Sequence, residues 1–229
     1  MLDKLRAEVL EANLELVRRG LVIYTFGNAS GISREHGLLA IKPSGVPYDK
    51  MTPDDMVITD LDGKIVEGKL KPSSDLATHT ALYRAFPSIG GVVHTHSRHA
   101  TAWAQAVCEI PCFGTTHADY FHGPIPVTAP LSVEEIESEY EANTGTAILR
   151  RMEGLDPLAC PACLVAGHAP FCWGKSVTDA AHTAVIVEEL AAMAWMTVTI
   201  NPHAHQIAES LRDKHHFRKH GPTATYGQG

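Results

Sequence analysis

A glycine- and valine-rich run that ends in two histidines restricts the fold of this chain more than any other feature. The segment reads GGVVHTH from Gly90 to His96, and its apolar start predicts a buried strand. Side chains two residues apart on a strand point to the same face. We therefore expect His94 and His96 to present two imidazoles side by side at the end of this strand, as a pair of ligands for one metal ion.

Metal binding is one interpretation of this pair, and core histidines bonded to the backbone or an exposed polar strand end are the others. A third histidine favours the metal, because His168 follows a second apolar run from Cys163 to Gly167. Three histidine ligands leave coordination positions open for a substrate, which is typical of catalytic rather than structural zinc sites. The chain holds 14 histidines in all, and histidine is the usual acid or base near neutral pH.

The composition of the 229 residues is that of a folded globular protein, with 45% hydrophobic and 20% charged residues, and it excludes a disordered chain. The formal net charge is −7. An acidic surface argues against broad binding of nucleic acid or anionic membranes. An anionic substrate would therefore need a local site of its own.

The sequence also indicates where the protein works. Residues 1–20 lack the apolar core of a signal peptide. The longest apolar stretch, Thr183 to Ile200, contains Glu188 and Glu189, which predicts a buried helix and no membrane span. With no secretion signal, the five cysteines are expected to be reduced thiols, and we expect a cytoplasmic protein.

Helical and strand-type patterns are mixed along the chain. They predict helices over 2–19, 74–86, 98–106, 132–152, 176–200 and from 211 onward, and strands over 21–26, 38–41, 56–59, 64–66, 90–96, 111–116 and within 164–173. Ser132 with Glu135 three residues later forms a capping box, and Asp62-Gly63 is a hairpin signal. The order predicts an α/β (α+β-like) fold in a single domain over 1–229, with a central mixed, mainly antiparallel sheet flanked by helices.

Three short segments have the composition of anion-binding turns: GNASG at 27–31, KPSG at 42–45 and KPSSD at 71–75. Each combines small hydroxyl or amide side chains with free backbone N–H groups. Ser73 and Ser74 would lie at the N-terminus of the helix predicted over 74–86, where the helix dipole favours a phosphate. Ordinary turns capped by serine would look the same, and no P-loop motif is present.

Together these segments resemble the class II aldolase/epimerase family over nearly the whole chain. Further matching strings are FPSIGG at 86–91, HTHSRHAT at 94–101, GTTHADYF at 114–121, RKHG at 218–221 and YGQ at 226–228. The resemblance implies a class II aldolase-like fold and a homotetramer with the active site at a subunit interface. It also implies a divalent metal cofactor, Zn²⁺ or another ion such as Mn²⁺.

The resemblance further implies roles for residues that match the motifs of the family. The implied metal ligands are Asp75, His94, His96 and His168. The implied phosphate-binding residues are Gly27, Asn28, Lys42, Ser44, Gly45, Ser73 and Ser74, with Glu141 near the substrate. Catalytic groups contributed by a neighbouring subunit are Asp119 and Tyr226, which form an acid/base pair, and His215.

The reaction implied by the resemblance is an epimerisation of a sugar phosphate. Retro-aldol cleavage and re-formation of the C3–C4 bond would interconvert L-ribulose 5-phosphate and D-xylulose 5-phosphate, as in arabinose, ascorbate or gulonate breakdown. One alternative is a class II aldolase that releases dihydroxyacetone phosphate, but family aldolases carry Glu where this chain has Asp75. The shorter Asp fits metal contact better than proton abstraction from carbon. A non-catalytic metal-binding protein is the second alternative.

Overall fold

A seven-stranded sheet forms the centre of the computed structural model, which describes residues 2–220 and residue 224. The helices are α1 (Leu2–Arg18), α2 (Leu76–Ala85), α3 (Arg98–Gln105), α4 (Thr115–Ala118), α5 (Val133–Glu137), α6 (Tyr140–Arg151), α7 (Val177–Ile200) and α8 (Glu209–His220). The strands are β1 (Asn28–Ser33), β2 (Leu38–Ile41), β3 (Val57–Asp60), β4 (Ile65–Glu67), β5 (Gly91–His94), β6 (Ala162–Leu164) and β7 (Pro170–Gly174).

The strand order of the sheet is β4-β3-β2-β1-β5-β7-β6. Every neighbouring pair of these described strands is antiparallel, and an isolated parallel bridge joins Val127 to Leu164. The predicted mainly antiparallel sheet with flanking helices is therefore confirmed. Its central strands β1, β5 and β7 come from distant parts of the sequence, and β5 ends at His94.

Helices cover both faces of the sheet, because successive side chains on a strand point in opposite directions. Val93 and Cys172 belong to a core shared with α1 and α7, whereas Val92 and Trp173 belong to a second core with Tyr83 of α2 and residues of α6. Gly91 permits the close approach of α7, since a Cβ there would lie 2.3 Å from the Cα of Val177. The site end of β5 is thus held between two packed layers.

The strand predicted over 21–26 is wrong, and the first strand is β1, which includes residues 28–31 of the segment predicted to be a turn. Small side chains explain the shift: a Cβ on Gly31 would lie only 3.1 Å from side-chain atoms of Leu5 and Val9 in α1. β1 can therefore lie directly under α1, paired with β2 and β5. Within 21–26, Leu21 is buried in the core, but Ile23 and Tyr24 are 57% and 86% exposed. The positive φ of Tyr24, 55°, also does not fit a strand.

Two other predicted elements differ from the structure. The single helix predicted over 132–152 is two helices, α5 and α6, which are separated at Ser138, where φ is −98° and ψ is −124°. The capping box of Ser132 and Glu135 is confirmed. The strand predicted over 111–116 is absent. The only strand-like pairing nearby in the described chain is the bridge between Ile110 and Ile125, just before this segment, and α4 begins within it at Thr115.

Helix α7 is the one described helix that is long and apolar enough to cross a membrane. It packs against β5 and β7 and buries Val187 and Leu190, as the core helix of a globular protein does. Its C-terminal end is more open than the prediction of a buried helix, because Trp195 and Ile200 are 53% and 85% exposed.

Candidate metal centre and active site

Three histidines meet where β5 ends and the turn before β7 begins. His94 is the last residue of β5, His96 lies two residues beyond it, and His168 lies two residues before β7. The ring centres of His94 are 4.8 Å from those of both His96 and His168, and those of His96 and His168 are 5.0 Å apart. One nitrogen of each ring lies within 4.8 Å of the others, so all three can bind one ion.

The spacing of these nitrogens fits a metal site. Nε2 of His94 and Nε2 of His96 are 3.1 Å apart. Zn–N bonds of about 2.0–2.1 Å place two nitrogens of one tetrahedral site roughly 3.4 Å apart. At this distance the lone pairs of the two nitrogens repel each other unless a metal ion or a proton lies between them. Among the described residues, these three histidines are the only group of three or more His, Cys, Asp or Glu side chains whose ligand atoms lie close enough together to hold one metal ion.

The protein environment keeps these imidazoles neutral and orients them. Burial, reinforced by the neighbouring rings of His168 and His96, lowers the pKa of His94 to about 3. Burial likewise lowers the pKa values of His96 and His168. Nδ1 of His94 lies 3.0 Å from the carbonyl oxygen of Pro170, which orients its Nε2 toward the cluster. A neutral imidazole with a free nitrogen is the form that binds metal.

Asp75 brings a carboxylate to the cluster from the start of α2. Its side chain accepts a hydrogen bond from the Asn28 amide. Although burial alone would raise the pKa of Asp75, the nearby imidazoles of His94 and His79 and the bond from Asn28 hold it below its ordinary value. The carboxylate is therefore ionised at neutral pH and offers an anionic oxygen beside the three neutral rings.

A buried cation, Lys42, lines the same cavity as this carboxylate. Lys42 is 2% exposed, and its Nζ contacts the carbonyl oxygens of Thr25 and Pro43, each at 3.3 Å. It forms no ion pair with any carboxylate of residues 2–220. Burial lowers the pKa of Lys42 to about 8, so the side chain is mostly protonated at neutral pH and suited to bind an anion.

The two lysine-containing turns are tied together beside Lys42. The N–H of Ser44 donates to the carbonyl of Lys71 at 2.9 Å, and the N–H of Ser73 donates to the carbonyl of Lys42 at 3.0 Å. The amide of Asn28 reaches the hydroxyl of Ser73 at 3.0 Å. Small polar groups from β1 and from both turns therefore lie together beside Lys42, as expected of an anion-binding nest.

One cavity of about 440 Å³ joins the two halves of this arrangement. It is lined by the residues predicted to bind metal, by those predicted to bind phosphate and by Glu141. A larger cavity of about 600 Å³, lined by His182 and His216 among others, contains none of the predicted site residues. A small anionic molecule held near Lys42 can thus extend to the three histidines.

The predicted acid/base residues lie elsewhere in this chain. Asp119 follows α4 and is 3.0 Å from Nδ1 of His215 on α8, and Arg218 donates to it at 3.0 Å. Burial alone would raise the pKa of Asp119, but the bonds from Arg218 and His215 hold it low. Neither Asp119 nor His215 lines the 440 Å³ cavity. Tyr226 lies outside the described residues.

Two site residues were missed by the sequence analysis. Tyr140 lines the cavity, and its hydroxyl is 3.4 Å from Nδ1 of His168. No sequence signal pointed to it, because the break before α6 was not foreseen. His79 is fully buried on α2 close to Asp75. Its spacing of four residues from Asp75 within a predicted helix was a usable signal, since such residues share one helix face.

Comparison with known proteins gives matches that cover most or all of the chain. Residues 7–195 match the family described as "Class II Aldolase and Adducin N-terminal domain". The L-ribulose-5-phosphate 4-epimerase UlaF of Salmonella paratyphi B is 56% identical over 227 residues, which cover 99% of this chain and 100% of that protein. The same figures hold for the UlaF protein of Salmonella typhi.

Solved structures share the fold at lower sequence identity. An L-fuculose 1-phosphate aldolase is 24% identical with a TM-score of 0.79, over 93% of this chain and 94% of that one. An aldolase II superfamily protein from Pseudomonas syringae is 15% identical with a TM-score of 0.78, over 97% of this chain and 88% of that one. At these identities the structures are evidence for the fold alone.

Proposed function

The chain belongs to the class II aldolase and adducin family, and on that premise we propose that it is an epimerase that interconverts L-ribulose 5-phosphate and D-xylulose 5-phosphate. Full-length relatives at 56% identity carry the name L-ribulose-5-phosphate 4-epimerase. The observation that carries the proposal is the cavity in which a buried lysine and two serine-containing turns face three histidines and a carboxylate. A sugar phosphate has the matching chemistry: an anionic end and, at the other end, adjacent carbonyl and hydroxyl oxygens.

The phosphate end of the substrate binds at Lys42. The protonated ammonium group supplies the charge, and the small side chains and N–H groups of the turns supply hydrogen bonds: Gly27, Asn28, Ser44, Gly45, Ser73 and Ser74. Lys42 is buried and forms no ion pair within residues 2–220. A bound phosphate therefore supplies the counter-charge of its ammonium group. This fixed anchor orients the ketose chain toward the histidines.

The metal of this proposal is Zn²⁺ or another divalent ion such as Mn²⁺, held by His94, His96 and His168 with Asp75 adjacent. When bound, the ion supplies Lewis-acid polarisation of the substrate's ketone and neighbouring hydroxyl oxygens. His-rich sites accept several divalent ions. Glu141, which lines the same cavity, lies near the sugar hydroxyls.

Epimerisation at C4 needs one proton-transfer group on each face of the carbonyl that forms there. One group removes the proton of the C4 hydroxyl as the C3–C4 bond breaks, leaving the enediolate of dihydroxyacetone and glycolaldehyde phosphate. The aldehyde turns its other face, the bond forms again, and the second group returns a proton to the new C4 oxygen. We assign these roles to Asp119 and Tyr226, with His215 fixing Asp119 through their 3.0 Å contact.

These groups would come from a neighbouring subunit of a homotetramer. In this chain Asp119 is bonded to residues of α8 and lies outside the cavity of its own subunit. A site shared between subunits explains why Asp119, although held by hydrogen bonds, does not line the cavity of its own chain. We further propose that the chain is one family domain and a cytoplasmic enzyme of pentose phosphate metabolism, as in arabinose catabolism.

The deciding experiment incubates the purified protein with L-ribulose 5-phosphate and zinc or manganese, and identifies products by NMR. D-Xylulose 5-phosphate is expected, with no accumulation of free two- or three-carbon fragments. Parallel incubation with L-fuculose 1-phosphate tests the aldolase alternative. Release of dihydroxyacetone phosphate without epimerisation of the pentose would replace the epimerase by an aldolase, and inactivity on both substrates with metal bound would leave a metal-binding protein.

A further inference from the structure

One exposed aromatic side chain lies at the opening of the proposed active site. Phe26 is 55% exposed and belongs to neither hydrophobic core of the described residues. It lines the 440 Å³ cavity, and its ring centre lies 6.0 Å from that of His96. His96 is the exposed member of the three clustered histidines. Phe26 therefore lies on the open side of the proposed metal centre.

The backbone on both sides of the Phe26 ring is held in place. The carbonyl oxygen of Phe26 accepts from the hydroxyl of Tyr48 at 2.8 Å, in the bond that is shared with Gly27. The N–H of Phe26 donates to the carbonyl of Ile23 at 3.0 Å. Gly27 has a φ of 76°, and a Cβ there would lie 2.9 Å from the carbonyl oxygen of His94, so the chain passes close against β5. The ring is thus presented to the cavity from a fixed backbone.

Phe26 differs in chemistry from the residues around it. Apart from Pro43 and two glycines, the other described residues that line this cavity all carry a polar side-chain atom. Tyr140 also places an aromatic ring beside a histidine, but its hydroxyl reaches Nδ1 of His168 at 3.4 Å. Phe26 has no such group and offers only an apolar face. A single exposed apolar residue is ordinary on a protein surface, but one that is fixed in a polar cavity faces whatever the cavity binds.

The position of Phe26 matches the part of the proposed substrate that has to move. The carbonyl oxygen of Thr25, the preceding residue, lies 3.3 Å from Nζ of Lys42, whereas the ring of Phe26 lies next to His96. In the proposed reaction, glycolaldehyde phosphate lies between these two points with its phosphate at Lys42, and its aldehyde end turns while the enediolate stays beside the histidines. An apolar ring suits this motion, because its contact is non-directional and excludes water.

We propose that Phe26 is a specificity-determining residue that retains glycolaldehyde phosphate in the cavity while the aldehyde turns its other face. The inference rests on the proposed function and adds the residue that separates epimerisation from net cleavage. Both outcomes begin with the broken C3–C4 bond. With retention, the bond forms again at C4. Without it, C3 of the enediolate takes up the proton that the C4 hydroxyl lost, and dihydroxyacetone and glycolaldehyde phosphate leave as free products.

The first test measures how turnovers divide between these two outcomes. Full-length variants are incubated with L-ribulose 5-phosphate and zinc, and D-xylulose 5-phosphate, dihydroxyacetone and glycolaldehyde phosphate are quantified by NMR. Phe26→Ala should raise the fraction of turnovers that releases the fragments at least about tenfold, which corresponds to the loss of one large apolar contact. Phe26→Tyr keeps the ring and should keep the wild-type fraction. Ile23→Ala is the matched control, since Ile23 is 57% exposed in the same segment but does not line the cavity, and its fraction should not change.

The second test needs neither turnover nor metal. Ethyl phosphate has a phosphate group and a two-carbon chain, and metal-free wild-type protein should bind it about three- to tenfold more tightly than inorganic phosphate. Phe26→Ala should lose this preference and keep its affinity for inorganic phosphate, because Lys42 is unchanged. Isothermal titration calorimetry measures both affinities.

An unchanged product fraction in Phe26→Ala, or an ethyl phosphate preference that persists in it, overturns the inference. Folding of each variant is verified by circular dichroism. If Phe26→Ala does not fold, Phe26→Gln, which keeps a long side chain without the apolar ring, takes its place in both tests. A wild-type protein that does not epimerise L-ribulose 5-phosphate would instead contradict the proposed function, and the ethyl phosphate comparison would still test the contact of Phe26 with a two-carbon chain.

Discussion

The side-chain nitrogen of Lys42 lies 4.8 Å from the centre of the Tyr48 ring, and the hydroxyl of Tyr48 shares its one proton between the carbonyl oxygens of Phe26 and Gly27, at 2.8 and 2.9 Å. The ring of Tyr48 thus packs against the ammonium group, and its hydroxyl holds it in place against the segment before β1. A cation over an aromatic face gains some stabilisation, but no anion of residues 2–220 neutralises it. Within residues 2–220 the charge of Lys42 therefore has no ionic partner, which suits it to bind an anion in the cavity.

The first prediction concerns pH. Because burial lowers the pKa of Lys42 to about 8, the ammonium group loses its proton as pH rises through that value, and the affinity for the phosphate end of the substrate falls with it. The KM for L-ribulose 5-phosphate should rise toward tenfold per pH unit above about 8, with a smaller change in kcat. Steady-state kinetics from pH 6.5 to 9.5 measure this.

Lys42→Arg is the control for that profile, since a guanidinium stays protonated throughout the range. Its KM, whatever its absolute value, should lose the rise above pH 8. A wild-type KM that is flat to pH 9.5, or a rise that persists in Lys42→Arg, would contradict the assignment of the phosphate to this lysine.

The second prediction concerns stability, and its sign follows from the same pKa. Lowering the pKa of Lys42 in the folded state means that folding disfavours the charged form, so the unfolded chain binds more protons between about pH 8 and the ordinary lysine value. Lys42→Met should raise the free energy of unfolding at pH 7 while it abolishes activity. Urea titrations at pH 7 and pH 10 measure it, and the gain should shrink at pH 10. A loss of stability at pH 7 would count against a desolvated charge.

The third prediction concerns metal removal. Chelation should abolish turnover and leave the far-ultraviolet circular dichroism spectrum unchanged, because the sheet and both cores are built without the three histidine side chains. Zinc or manganese added back should restore activity. His94→Asn should bind metal at least about tenfold more weakly. Unfolding on chelation would instead indicate a structural ion.

Particular residues show which features could be predicted from the sequence. The spacing of His94 and His96 sufficed to place two rings together, and the apolar run before His168 identified the third. His168 lies in the turn between β6 and β7, and the antiparallel pairing of β5 with β7 brings that turn beside the end of β5. Elements with strong local signals, such as α1 and the capping box at Ser132, also agree with the structure. These signals depend on local sequence alone.

Other features depend on contacts between distant residues. Asn28 to Gly31 have turn-like composition, yet they form a central strand because α1 needs small side chains beneath Leu5 and Val9. The separation of α5 from α6 at Ser138 accompanies a long-range contact at the start of α6, where the hydroxyl of Thr78 on α2 donates to the carbonyl of Glu141 at 2.6 Å. Tyr140 reaches His168 only as a result of that break, so no local pattern could have indicated it.

The fourth prediction tests the shared site. Asp119→Asn and His94→Asn should each be inactive alone, because one lacks the proposed acid/base group and the other a metal ligand. If each site combines residues of two subunits, co-expression in equal amounts should restore roughly a quarter of wild-type activity, since random mixing pairs the two intact surfaces that often. Activity is measured on the mixed oligomer and compared with each variant mixed with itself. No recovery in mixed oligomers would place Asp119 and the histidines in the same subunit's site or remove Asp119 from catalysis.

The fifth prediction concerns the C-terminal segment that carries Tyr226. Deleting Thr225 to Gly229 should leave zinc affinity and the circular dichroism spectrum unchanged, because the proposed ligands Asp75, His94, His96 and His168 and the strands and helices described above all lie within residues 2–220. It should lower kcat by about 100-fold or more, since a proton-transfer group contributes that much. Tyr226→Phe should reproduce the loss, whereas removal of Gln228 and Gly229 alone should not. Unchanged turnover after the full deletion would remove Tyr226 from the mechanism and leave one face of the C4 carbonyl without its proton donor.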